Sequence, residues 1–333
     1  MRTLNTRRLR VTVTSLALVA AFTVTACGGD DDSTNDQEAK TPSRQGMHIE
    51  FAFAGVPGDP YYTVIKNGAA QAAKDMGVDV EYKETSQYDF QEQVRLIKAA
   101  IARKPDGLVV SEESPEVLDG PVKEAVDAGI PVIIAAAGEN SVEKTGALGF
   151  VGQNEFEVGF KAGEQLKAAG VKRVACLNPA VGTPNLDARC NGLEKALGSG
   201  SVDVVAIDQS DRTSAKNRIK AILQRGAVDG MLALAAAPVA EPMLDAVKES
   251  GKEGDVTVAT IDLSPGVLEA VRDGKLLFAS DQQQFLAGYL PVVLLALQKQ
   301  YGLRPPAFVP TGPSYVTKED ADAVIELSKR GLR

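Results

Sequence analysis

From residue 47 onward, short apolar runs alternate with longer stretches of helical spacing. Residues 49–54 are a run of small and aromatic side chains that reads as a buried strand, followed by a Gly/Pro turn. Residues 62–76 carry apolar positions at helical spacing and stop at Gly77, and residues 78–82 form the next strand. Residues 90–103 predict an amphipathic helix with Val94, Ile97 and Ile101 on one face. A short buried strand at 107–110, a helix at 121–128 and a strand at 130–136 follow. Strands alternating with helices predict βαβ units, hence a parallel sheet with right-handed crossovers.

The pattern then restarts, with a strand at 171–177, a helix at 186–197 and a strand at 202–207. Ile97-Lys98-Ala99-Ala100-Ile101-Ala102-Arg103 leads through a short loop to Pro105-Asp106-Gly107-Leu108, and Ile219-Lys220-Ala221-Ile222-Leu223-Gln224-Arg225 leads in the same way to Val228-Asp229-Gly230-Met231. Likewise Glu124-Ala125-Val126 before Pro131-Val132-Ile133 matches Asp245-Ala246-Val247 before Val256-Thr257-Val258. Copies about 120 residues apart are too widely spaced for a solenoid. They predict an α/β fold of two similar doubly wound parallel-sheet lobes, against the alternative of two generic βαβ segments.

The first 46 residues have a different character. Arg2, Arg7, Arg8 and Arg10 precede a mostly apolar stretch, 11–26, that is short against the roughly 20 residues of a bilayer span. Residues 1–26 therefore read as a signal peptide. The stretch ends in Val24-Thr25-Ala26-Cys27, which resembles a bacterial lipoprotein box, whose Cys becomes the lipid-modified N-terminus; an ordinary secretory signal with a chance Cys is the alternative. Residues 27–46 are polar and acidic, with Asp30-Asp31-Asp32, and predict a disordered tether.

At roughly 150 residues per domain, 333 residues suit two domains. The net charge of −8 falls further once the four N-terminal arginines are removed, which excludes a nucleic-acid-binding surface. A single His, His48, excludes a multi-His metal site or a His-based triad. No Gly-x-Ser-x-Gly, phosphate-binding Gly-rich loop with Lys, or His-Glu-x-x-His motif is present, so the chain reads as no enzyme and needs no cofactor.

In open parallel sheets, ligands sit beyond the carboxyl ends of the strands. After the first strand stands Gly58-Asp59-Pro60-Tyr61-Tyr62; after the strand at 257–261 stands Asp262; after residues 276–279 stands Asp281-Gln282-Gln283-Gln284; and Thr183-Pro184-Asn185-Leu186-Asp187-Ala188-Arg189-Cys190 opens a helix. On these residues the chain, from about 47 to 317, resembles the periplasmic sugar-binding proteins of ABC importers, the type I periplasmic binding proteins of the ribose-binding-like branch. The resemblance implies two lobes on a hinge and a ligand set of Asp59, Tyr61, Tyr62, Asn185, Arg189, Asp262 and Gln282. Tyrosine rings would stack on a sugar or polyol ring, and the carboxylates, Arg and Gln would take its hydroxyls. For each residue a structural role competes: core packing for the tyrosines, an N-cap for Asp262, linker polarity for Gln282, and a surface ion pair with Asp187 or Glu194 for Arg189.

The chain departs from the family where Ala135-Ala136-Ala137-Gly138 and Ala235-Ala236-Ala237 replace polar residues, with Gly138 and Glu139 as substitutes. Both lobes thus read as having lost the same polar contacts, which leaves the ligand open. Cys176 and Cys190, the pair left once Cys27 is lipidated, suit a disulfide outside the membrane, against two free buried thiols.

The expected organisation is residues 47–152 plus 283–308 for the N-terminal lobe and 153–282 plus 309–333 for the C-terminal lobe, with crossings near Gln153, Gln282 and Pro310. The expected function is a monomeric substrate-binding lipoprotein on the extracytoplasmic face of the cell membrane, delivering a small ligand to an ABC permease. A ligand sensor signalling to a receptor or kinase is the alternative, and an enzyme using Asp59 and Asp262 as an acid/base pair is a third reading.

Overall fold

Two six-stranded sheets organise residues 44–333, the part of the chain that the computed structural model describes. The expected signal peptide, Cys27 and most of the expected tether lie outside the described residues. The last residues assigned to the tether belong to the fold: the Met47 N–H donates to the Arg44 carbonyl at 3.0 Å, and the Arg44 guanidinium reaches Gln300 at 3.2 Å.

The first half of the chain runs β1 (His48–Phe53), α1 (Pro60–Met76), β2 (Asp79–Glu84), α2 (Phe90–Arg103), β3 (Gly107–Val110), α3 (Pro115–Asp127), β4 (Val132–Ala136), α4 (Val142–Thr145) and β5 (Gly149–Gly152). The second runs α5 (Glu155–Ala168), β6 (Val174–Asn178), α6 (Pro184–Leu197), β7 (Val202–Ala206), α7 (Arg212–Arg225), β8 (Gly230–Ala233), α8 (Glu241–Glu249), β9 (Thr257–Ile261), α9 (Pro265–Arg272) and β10 (Ala279–Asp281). The chain closes with α10 (Gln284–Tyr301), β11 (Phe308–Pro310), β12 (Ser314–Val316) and α11 (Ala321–Lys329). The sheet orders are β11-β5-β4-β3-β1-β2 and β12-β10-β9-β8-β6-β7, so β1–β5 and β6–β10 repeat one topology. Every pairing is parallel except β10 with β12.

Local chemistry sets the helix starts. Asp89 caps α2 by accepting from the Gln91 and Glu92 N–H groups, and Asp211 caps α7 in the same way through Thr213 and Ser214. Helix α3 starts at Pro115, six residues before the start expected from Pro121; proline suits the first turn, and the second proline is carried inside the helix on its buried face. Strand β10 includes Asp281 itself, which is buried in the sheet, where Arg333 neutralises it. Strands β3, β4, β6 and β8 are buried along their whole length, because helices cover both faces of a parallel sheet.

The chain passes between the sheets at 153–154, 282–283 and 311–313. The third crossing differs from the expected boundary after 308: Val309 and Pro310 still pair with Val151 and Gly152 in the first sheet, since β11 extends the edge that β5 would otherwise leave open.

In the structure Cys176 of β6 is joined to Cys190 of α6, both buried. Closing a loop of about 15 residues stabilises the fold by roughly 3 kcal/mol in the chain-entropy account. Denaturant titration of Cys176→Ser should show a loss of that order, and thiol labelling of the unreduced, unfolded protein should find neither Cys free; an unchanged midpoint or two labelled thiols would contradict the bond.

Candidate functional site

The carboxyl ends of both sheets border one cleft. Asp59, Tyr61, Tyr62, Asn185, Arg189, Asp262 and Gln282 all line it. They come from the cap and first turn of α1, the opening turns of α6, and the residues just after β9 and β10.

Several of these side chains also carry structural work. Asp59 caps α1, accepting from the Tyr61 N–H at 2.9 Å, and burial raises its carboxyl above the usual range. Tyr61 and Tyr62 meet edge to face with centroids 5.0 Å apart and rest against the core of the first sheet. They therefore both pack and line the cleft, because adjacent helical residues point in different directions. Asp262 is no N-cap; Ser264 caps α9. Asp262 instead sits at φ 74° just past β9, takes a hydrogen bond from the Gln282 amide, and is 7% exposed. Burial pushes its carboxyl up to about 7, against the opposing pull of Arg189 and Gln282.

Arg189 makes no surface pair with Asp187 or Glu194. Asp187 holds the Asn178 amide and the Gly182 N–H, and Glu194 takes the Gly200 N–H. The Arg189 guanidinium is 4% exposed, donates from Nε to Glu155 at 2.6 Å and from Nη1 to the Leu234 carbonyl at 3.2 Å. This pair depends on how closely α5 and α6 approach. A Cβ on Gly159 would stand 1.8 Å from the Arg189 carbonyl oxygen, and one on Gly192 would stand 2.0 Å from that of Phe156. Glycine at both positions lets the backbones touch and brings Glu155 to Arg189.

Four residues with polar side chains that line or support the cleft were missed by the sequence reading. Glu113, Tyr88 and Gln209 line the cleft, and Glu155 holds Arg189. A cue was present for Glu113, since Ser111-Glu112-Glu113 breaks abruptly from the apolar strand before it. Burial pushes Glu113 up to about 8 and Glu112 up to about 7. The topology also corrects the comparison of the two alanine runs. The run after β8 corresponds by position to Ser111-Glu112-Glu113 after β3, and the run ending β4 corresponds to Asp262 after β9. The two alanine runs therefore stand at different, non-equivalent places in the two lobes.

Among the described residues, His48, Glu50 and Glu81 form the one cluster with metal-ligand spacing. It lies at the amino end of β1, and Lys83 and Arg103 already supply the positive charge that Glu50 takes.

The profile of the periplasmic binding protein domain matches residues 51–302. A carbohydrate transporter from Acidothermus cellulolyticus 11B, solved in complex with myo-inositol, is 32% identical, with a TM-score of 0.81 over 86% of this chain and 100% of that one. The xylose/arabinose-binding protein of Sulfolobus acidocaldarius is 26% identical over 81% of this chain and 71% of its own length. The D-ribose/D-allose-binding protein of Pseudomonas aeruginosa is 24% identical over 81% and 86%. The chain belongs to the periplasmic binding protein domain family, in its ribose-binding-like, sugar-binding branch.

The raised carboxyls make stability depend on pH. In the folded protein Glu112, Glu113 and Asp262 keep their protons to about 7, about 8 and about 7, whereas unfolded carboxyls lose theirs at about pH 4. Unfolding between those limits releases protons, so stability is greatest at the acid end and falls as pH rises through the folded values. Urea titrations from about pH 5 to about pH 8 should show a declining midpoint, and Glu113→Gln should flatten the decline. A midpoint that rises over that range would refute the assignment.

Proposed function

We propose that this protein is the extracytoplasmic substrate-binding component of an ABC importer and that its cleft captures a sugar or cyclic polyol. The observation that carries this reading is the convergence of stacking rings from one lobe and hydrogen-bonding groups from the other on a single cleft. Tyr61 and Tyr62, with Tyr88 beside them, offer flat apolar faces to the C–H surface of a ring. Arg189 donates to hydroxyl oxygens, Asp59 and Asp262 accept from hydroxyls, and Gln282 and Asn185 do either. Alanines at 136, 137, 235 and 236 leave room for the ring itself. The myo-inositol held by the Acidothermus relative supports a ring bearing hydroxyls all round.

Because the two groups of contacts sit on different lobes, binding favours their approach about the three crossings, and a permease can then read the closed form. No helix of the described residues is long and apolar enough to cross a membrane. In this reading the protein is a monomer kept at the membrane by acylation of Cys27, with the acidic stretch after it as a tether.

A thermal-shift screen of myo-inositol, D-xylose, L-arabinose, D-ribose and D-allose should give a dose-dependent rise in Tm for at least one. With that ligand, Arg189→Ala and Asp262→Ala should each weaken binding by about 2 kcal/mol or more, roughly thirty-fold, and Tyr61→Ala by about 1 kcal/mol. Unchanged affinity in both charged-group variants would remove the cleft from the argument. Separately, Cys27→Ser should move the exported protein from the membrane fraction to the soluble one; continued sedimentation with membranes would overturn the anchor.

A further inference from the structure

A side chamber adjoins the main cleft and shares Glu113, Ala137 and Asn185 with it. Its lining is rich in oxygen atoms that are buried without a hydrogen-bond donor: Glu112 Oε1, Glu113 Oε2, Gln153 Oε1, Glu155 Oε1 and Asn185 Oδ1. All five are acceptors, and three belong to carboxyl groups. Glu113 is only 6% exposed, so water does not meet its need from outside.

The charges are as one-sided as the acceptors. Asp59, Glu112, Glu113, Glu139, Glu155 and Asp262 line the two chambers. Among the described lining residues, Arg189 is the one cation, and it already donates to Glu155 and the Leu234 carbonyl. Ser141 and the Asn154 amide each donate to one of these acids, but neither brings charge. A neutral polyol would supply hydroxyl donors and no positive charge, leaving the buried carboxyls uncompensated or forced to hold protons. An ammonium group supplies three donors and a full positive charge in the space of one hydroxyl.

We propose that the cleft selects a polyhydroxylated ligand that carries a protonated amino group, an amino sugar or aminocyclitol, with the ammonium at the junction of the two chambers beside Glu113 and Asn185. The inference rests on the sugar or polyol reading above and narrows it. The upward displacement of Glu113 agrees with it, since burial there is offset by no nearby cation. The same field repels sugar acids and sugar phosphates.

The test is calorimetry on the full chain with matched probes: D-glucose against D-glucosamine, myo-inositol against a monoamino-deoxy inositol, and D-glucuronate as the anion. At about pH 6.5, where a sugar amine is largely protonated, at least one aminated probe should bind about tenfold or more tighter than its neutral parent, and glucuronate should not bind. Glu113→Gln should reduce that preference to about threefold or less, and Glu113→Asp, which keeps the charge, should retain most of it. Neutral parents that bind as tightly as their amines would overturn the inference while leaving the sugar or polyol reading intact, as would a preference undiminished in Glu113→Gln. Failure of these probes and of the wider neutral-sugar screen would overturn both.

Discussion

The cleft depends on one buried guanidinium. Among the described residues, Arg189 is the sole cation lining a space bordered by Asp59, Glu113 and Asp262, and its own partner, Glu155, is a fourth acid. Burying a charge without compensation costs several kcal/mol, so the position of Arg189 decides which of these carboxyls can stay ionised. That position is fixed by shape before charge: two glycines let α5 and α6 touch, and the touch brings Glu155 within reach. The disulfide holds the same helix to β6 one residue beyond Arg189. Backbone packing, a covalent clamp and an ion pair thus all act on one turn of α6.

The repeated topology supplies a symmetric frame onto which asymmetric side chains are fitted. At the end of the fourth strand in each half the backbone enters the left-handed region, at Ala136 with φ 69° and at Asp262 with φ 74°. Non-glycine residues seldom adopt that conformation, and it persists here because the surrounding strands hold the chain ends. The same bend aims both residues at the cleft, yet one half presents a methyl group and the other a carboxylate. The third strands show the reverse arrangement, with Glu113 in the first half and alanines in the second. The scaffold fixes where side chains reach the cleft; the residue at each place sets what the cleft accepts.

This division explains what could be read from the amino-acid pattern. Periodicity identified α2, β3 and β9 to the residue and placed most other elements within a few positions, because helical and buried-strand spacing are local properties. Pro121 misled the reading of α3, since a proline marks a start or an interruption equally well and Pro115 was the true start. The short edge strand β11 gave no periodic signal in three residues. Seven cleft-lining residues were legible because each follows a strand end or opens a helix, and the resemblance to the sugar-binding proteins singled them out among such positions. The Arg189 partner was not, since Glu155 lies 34 residues earlier and is matched to it by a helix contact that no local pattern encodes. Glu113 was overlooked for a different reason: a polar pair after a strand looks like an ordinary loop until its burial is known.

The cleft is also wired to the places where the chain bends. The Thr311 N–H donates to the Gly152 carbonyl at 2.8 Å, and the Gln283 amide donates to the Thr311 carbonyl at 2.6 Å, so the three crossings are joined by hydrogen bonds. Gln282, which donates to Asp262, is the immediate neighbour of Gln283, itself held at φ 52°. At the first crossing Gln153 reaches Glu155, the partner of Arg189, at 3.4 Å. A group in the cleft that competes for the Asp262 carboxylate or the Arg189 guanidinium therefore acts on side chains one bond or one residue away from a crossing. Cleft-lining side chains and the three crossings thus share one hydrogen-bond network, so a ligand that took the partners of Asp262 or Arg189 would act on the crossings as well.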